Sequence, residues 1–216
     1  MNAQLRPRLV SLVGVAALAA WVLGAAVSAQ EGVKETEQFI KAGGNVSQSV
    51  GEAKAQLQST LTNYGELLGK SATEMKDSYK KLLKNIKESD EKLTNARERV
   101  TQMQDTGKIY FTGREATIKK IADPALQAQA QERLVASQKE FESVLASLRT
   151  ARESLDPVRK ELGDQVKYLE SDLSPSGTAS LKPQAEKTKA GATAMFGKID
   201  DTIRTANTYF SGLRAK

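Results

Sequence analysis

From Ala72 to Tyr110 small and apolar residues recur at alternating spacings of three and four: Ala72, Met75, Tyr79, Leu82, Ile86, Ser89, Leu93, Ala96, Val100, Met103, Gly107 and Tyr110. A second run keeps the same rhythm through Leu134, Ser137, Phe141, Val144, Leu148, Ala151, Leu155, Val158, Leu162, Gln165 and Leu169. A repeat of about 3.5 residues holds one narrow stripe of a helix against a partner. Two such stripes, each on a helix of about 50 residues or roughly 75 Å, restrict the chain to an all-α coiled-coil or bundle architecture.

Breakers are few. Gly69-Lys70, Asp123-Pro124 and Ser174-Pro175-Ser176-Gly177 divide the chain into four helical stretches, expected over about 34–68, 71–121, 124–172 and 179–214 and called α1 to α4 here. Asp123 can cap the free amides of α3 with proline just inside its start. Ser180 and Pro183 are read as the opening of α4 after an irregular link.

Folding α2 back on α3 about residue 122 pairs every seam position from Met75 onward. Large faces small at Ser89 with Leu155, Leu93 with Ala151 and Ala96 with Leu148, as dense packing requires. Folding about Gly69-Lys70 pairs Leu67 with Ala72, Tyr64 with Met75, Val46 with Leu93 and Phe39 with Val100. Folding about Pro175 pairs Leu181 with Leu169, Met195 with Leu155 and Tyr209 with Phe141. Any two heptad repeats align at some seven-residue offset, so the weight falls on the three centres coinciding with breakers. The expected architecture is an up-down-up-down antiparallel four-helix bundle. In this register α1 and α4 run out early, and an α2/α3 hairpin from about Gln104 to Glu140 projects as a two-helix tip roughly 25 Å long.

Arg6 and Arg8 precede an apolar run from Leu9 to Val27 that ends in Val27-Ser28-Ala29, the pattern of a secretory signal peptide cleaved before Gln30. Residues 1–29 are therefore expected to be a leader and 30–216 a single elongated helical domain, exported and periplasmic, or anchored in the inner membrane if the leader stays. The only tryptophan, Trp21, leaves with the leader, and the chain has no cysteine or histidine. Thiolate, imidazole and disulfide chemistry are thereby excluded, as are zinc sites built from those ligands and the Glu-x-x-His pairs of di-iron bundles. No phosphate loop or nucleophile elbow follows a strand. The expectation is a protein that is not an enzyme and carries no cofactor.

Two of the 32 basic residues lie in the leader, leaving 30 against 26 acidic. The excess is confined to Ser176–Lys216, where Lys182, Lys187, Lys189, Lys198, Arg204, Arg214 and Lys216 are candidate contacts to an anionic membrane surface or polyanion. Balanced charge elsewhere and the lack of a basic-aromatic platform argue against nucleic acid. At the tip, Ile109, Tyr110 and Phe111 stand between Gly107 and Gly113. Three consecutive large side chains point around a helix, so they are candidate contacts to a partner, either another envelope protein or a second copy. Gln165, a polar residue on the seam, is read as specifying register, with the Tyr79 hydroxyl its expected partner.

Late in α3 the chain reads Leu155-Asp156-Pro157-Val158, then Gly163-Asp164-Gln165-Val166-Lys167-Tyr168-Leu169, then Asp172-Leu173-Ser174. With the Asp123-Pro124-Ala125-Leu126 turn and the spacing to Leu181, this resembles the bacterial domain-of-unknown-function 2959 family. The resemblance implies a helical envelope protein of Gram-negative type and brings no activity or catalytic residue. It departs from the family pattern after Leu169, where Glu170-Ser171-Asp172-Leu173 stands in place of a Lys-His-Asn-Leu run. The expected role is an envelope spacer or docking module, with surface binding through α4 as the alternative.

Overall fold

The computed structural model describes residues 16–214, with side chains from Gly32 to Arg214. Four helices, α1 (Ala16–Leu67), α2 (Ala72–Ile118), α3 (Pro124–Ser171) and α4 (Pro175–Arg214), form an all-helical bundle, with no strand among the described residues. The expected leader falls on residues 1–29, whose side chains lie outside the described residues. Among the described residues no helix is long and apolar enough to cross a membrane.

The same device opens α3 and α4. The Asp123 carboxylate accepts the Ala125 and Leu126 amides at 2.8 and 3.1 Å, with Pro124 in the first turn. Ser174 Oγ accepts the Gly177 amide at 3.0 Å, with Pro175 beside it. The fixed φ of proline suits a first turn, where its missing amide costs nothing. α4 thus begins at Pro175, several residues before the expected start, and Pro183 lies inside it. At this corner Gly177 is packed so closely on the Asp172 carbonyl that a Cβ would collide with it. α3 runs on through Pro157.

Contacts along α3 and α4 follow the layers obtained by folding about Pro175. Tyr209 stacks on Phe141, Thr202 Oγ1 bonds the Ser147 carbonyl at 3.1 Å, and Lys187 pairs with Glu161 at 2.9 Å. α1 sits differently. Phe39 lies against Gly107 and Tyr110 rather than Val100, and Thr60 Oγ1 meets Ser89 Oγ at 2.8 Å. The helix has slid along α2 by about one heptad.

This slide changes the expected tip. Glu35 stands over Gly113, and Ile118 and Leu213 join the core cluster that holds Phe39. The stretch of α2 from about Gln104 to Ile118 is therefore covered by α1 and α4 and is not a bare two-helix arm, and only residues 119–133, none of them buried, extend past the core.

The helices are not equally close. α1 packs tightly on α2, and α3 on α4, with α1 and α4 also in contact, whereas α2 and α3 approach least. On α2 every seventh residue, Met75, Leu82, Ser89, Ala96, Met103 and Tyr110, is buried, but the alternate seam positions Tyr79, Ile86, Leu93 and Val100 are only half-buried. The large-to-small layers expected to fill the α2/α3 seam leave a gap at its middle.

Candidate functional site

At one pole of the bundle Phe39 is fully buried. It is surrounded by Tyr110, Phe111, Phe141, Tyr209 and Phe210, with ring centroids 5.0–6.2 Å away. Two glycines make the room. Gly43 faces the Phe210 ring, and a methyl on Gly107 would come within 3.0–3.1 Å of Phe141 and Phe39. Mostly tilted and edge-to-face geometry sets the positive ring edges against negative faces.

Of the expected partner contacts, Tyr110 and Phe111 are therefore interior residues, 5% and 9% exposed. Two consecutive side chains are buried here because α2 is enclosed on more than one side, which a two-helix arm could not do. Only Ile109 faces outward, at 56% exposure.

The α4 cations are exposed from Lys182 to Arg214, but they do not form one stripe, and Lys216 lies outside the described residues. Lys182 and Lys189, seven residues apart, share a groove between α1 and α4 with Glu186 between them. Lys187 is turned away to Glu161, and Arg204 pairs with Asp201 at 3.0 Å.

Gln165 does occupy the core, yet its partner is not Tyr79. The Tyr64 hydroxyl donates to Gln165 Oε1, while Gln165 Nε2 donates to Thr188 Oγ1 at 2.7 Å. Thr188 in turn reaches the Gln184 carbonyl and Glu161. This chain ties α1, α3 and α4 together at a buried level. Burial pushes the Tyr64 hydroxyl up to about 12 and the Tyr209 hydroxyl further still.

The shifted carboxylates move the other way. Lys187 beside Glu161, Lys92 beside Glu52 and Ser71 beside Glu74 donate to the charged form and hold each carboxyl below its usual range. A general acid needs the opposite shift. Among the described residues no group of three or more carboxylates is placed to hold a metal ion.

The family profile described as a protein of unknown function, DUF2959, matches residues 26–213, nearly the whole chain. The chain belongs to the DUF2959 family. No curated protein and no solved structure matches it. Within the segment that carried the DUF2959 resemblance, Leu155, Val158, Leu162, Gln165 and Leu169 are buried, and Asp156, Pro157 and Asp164 are exposed. Glu170, the first residue of the departure from the family pattern, is exposed.

Proposed function

We propose that this DUF2959 protein is a non-catalytic, exported coiled-coil module that spaces or docks components of the cell envelope. In this reading the helices form an up-down-up-down antiparallel coiled coil, the leader over 1–29 is removed before Gln30, and the protein works in the periplasm. The observation that supports it best is a core with two chemically different levels: an aromatic cluster at one pole and the Gln165 layer about 25 residues along α1, roughly 40 Å away. A core fixed at both levels resists bending and sliding, which suits a spacer.

A photo-crosslinking residue placed at Ile109, beside the aromatic pole, and another at Thr73, by the opposite turn, test it in intact cells. A discrete adduct with another envelope protein or a second copy is expected from at least one pole. No adduct from either would count against a docking role.

A second reading, contact with an anionic membrane surface, is favoured by Lys182 and Lys189. They are exposed on one face and without an ion-pair partner among the described residues. Sedimentation with anionic liposomes is then expected to weaken as salt rises and to fall in the Lys182→Gln, Lys189→Gln variant. No sedimentation at low salt would remove this reading.

A further inference from the structure

The gap in the middle of the α2/α3 seam is an opening into the core. It has a volume of about 340 Å³ and is reached by side chains of all four helices, including Leu57 of α1 and Ile199 of α4. Those two belong to the far side of the bundle, so the cavity penetrates beyond the surface. Its walls are Leu93, Val100, Leu145 and Leu148, all seam or seam-flanking residues left half-buried. The room comes from Ala53, Ala96 and Ala151, short side chains where a closed seam would carry larger ones.

The mouth has one sign of charge. Arg97 on α2 and Arg149 and Arg152 on α3 line it, and no lining residue is acidic. The Asp90–Arg159 pair at 2.6 Å marks the local register, and one heptad further along α2 Arg97 falls level with Arg152, with Arg149 one turn beyond it. Like charges facing each other across a gap repel. None of the three has an ion-pair partner among the described residues, although the rest of the surface is laced with such pairs. Lys54, the other cation in the lining, is already held by Asp200 at 2.6 Å.

An apolar interior beneath unneutralised guanidinium groups is complementary to a molecule with an apolar tail and an anionic head. The volume is at the lower end of the roughly 300–1,000 Å³ usual for small-molecule sites, which suits one acyl chain better than two. We infer that the α2/α3 groove is a binding site for a single-chain anionic amphiphile of the fatty-acid class, its tail among the seam leucines and its carboxylate between Arg97, Arg149 and Arg152. This goes beyond the spacer reading and does not depend on it, since the site is read from the isolated chain.

Titration calorimetry of the purified full chain with laurate below its micellar concentration, alongside dodecanol as a neutral molecule of equal chain length, tests the site. One laurate per chain is expected, with dodecanol at least about tenfold weaker, the size of effect that a charge-assisted hydrogen bond contributes. The Arg149→Gln, Arg152→Gln variant is expected to bind laurate no better than dodecanol. Ala96→Leu, which fills the cavity, is expected to abolish uptake of both without lowering the melting temperature; should it misfold, the arginine variant still decides. Absence of laurate binding, equal affinity for the two molecules, or uptake unchanged in both variants would overturn the assignment. So would a concentration-dependent dimer that takes up no laurate, because a second copy would then be the occupant.

Discussion

Gln165 uses both ends of its amide, and that makes Tyr64 the most informative residue to change. Tyr64→Phe leaves the Gln165 carbonyl without a donor in the core, with an expected cost of about 1–3 kcal/mol in denaturant unfolding. The same residue gives a pH signature. A free tyrosine ionises near 10, whereas burial pushes Tyr64 up to about 12. With the folded value raised, its contribution is whole below about pH 10 and is lost as pH climbs through 12. Denaturant midpoints measured from pH 9 to 12 should therefore fall more steeply for the native chain than for Tyr64→Phe; parallel curves would dismiss Tyr64 as the cause. Phe39, touching five aromatic rings, is expected to lose about 3–5 kcal/mol on truncation to alanine. The polar seam residue was legible from its position in the repeat. Its partner was not, because two tyrosines fifteen residues apart, Tyr64 and Tyr79, lie near the same end of the bundle and periodicity does not choose between them.

Among the elements, α1 shows how much a heptad repeat leaves open. Seam positions specify which face is buried but fix the axial position only to within multiples of seven residues. The turn over Leu68–Ser71 sets the remainder through its own geometry. Thr60 and Ser89 report the register directly, their hydroxyl oxygens being 2.8 Å apart. Cysteines at both positions are expected to form a disulfide on mild oxidation, while Thr60→Cys with Tyr79→Cys, the pair of the unslid register, stays reduced; free thiol counts distinguish the two. A signal for the slide was present in the sequence. Phe39, Tyr110-Phe111, Phe141 and Tyr209-Phe210 are aromatics that only one register collects, with Gly43 and Gly107 as slots for them. The α3/α4 corner was easier to place than to bound, since Pro183 resembles a helix start while Ser174-Pro175 supplies the actual cap. Gly177→Ala at that corner is expected to lower the melting temperature, because the added methyl meets the Asp172 carbonyl.

At the scale of the molecule, α2 alone is about 70 Å long at 1.5 Å per residue. Solution scattering is expected to give a radius of gyration above about 20 Å, whereas a compact domain of this chain length has about 17 Å. A value at the lower figure would require the helices to break and fold over. The all-helical class could be read from two stripes of spacing, but the unequal closeness of the helices could not. Ala96 facing Leu148 reads as a filled layer on paper, and only the separation of α2 from α3 shows it to be part of a cavity.

The packing of Gly43 on Phe210, and of Lys54 on Asp200, carries α1 and α4 past each other in opposite senses along the rod. Gly32, within α1, and Arg214, at the end of α4, accordingly lie at the same pole, and the Gly69-Lys70 turn lies at the other. A chain trimmed to Gly32–Arg214 can therefore be circularly permuted: a short flexible linker joining those two residues, with new termini opened between Gly69 and Lys70, should preserve the bundle. Any fusion made at Gly32 or Arg214 of the trimmed chain will crowd the aromatic pole and leave the opposite one free.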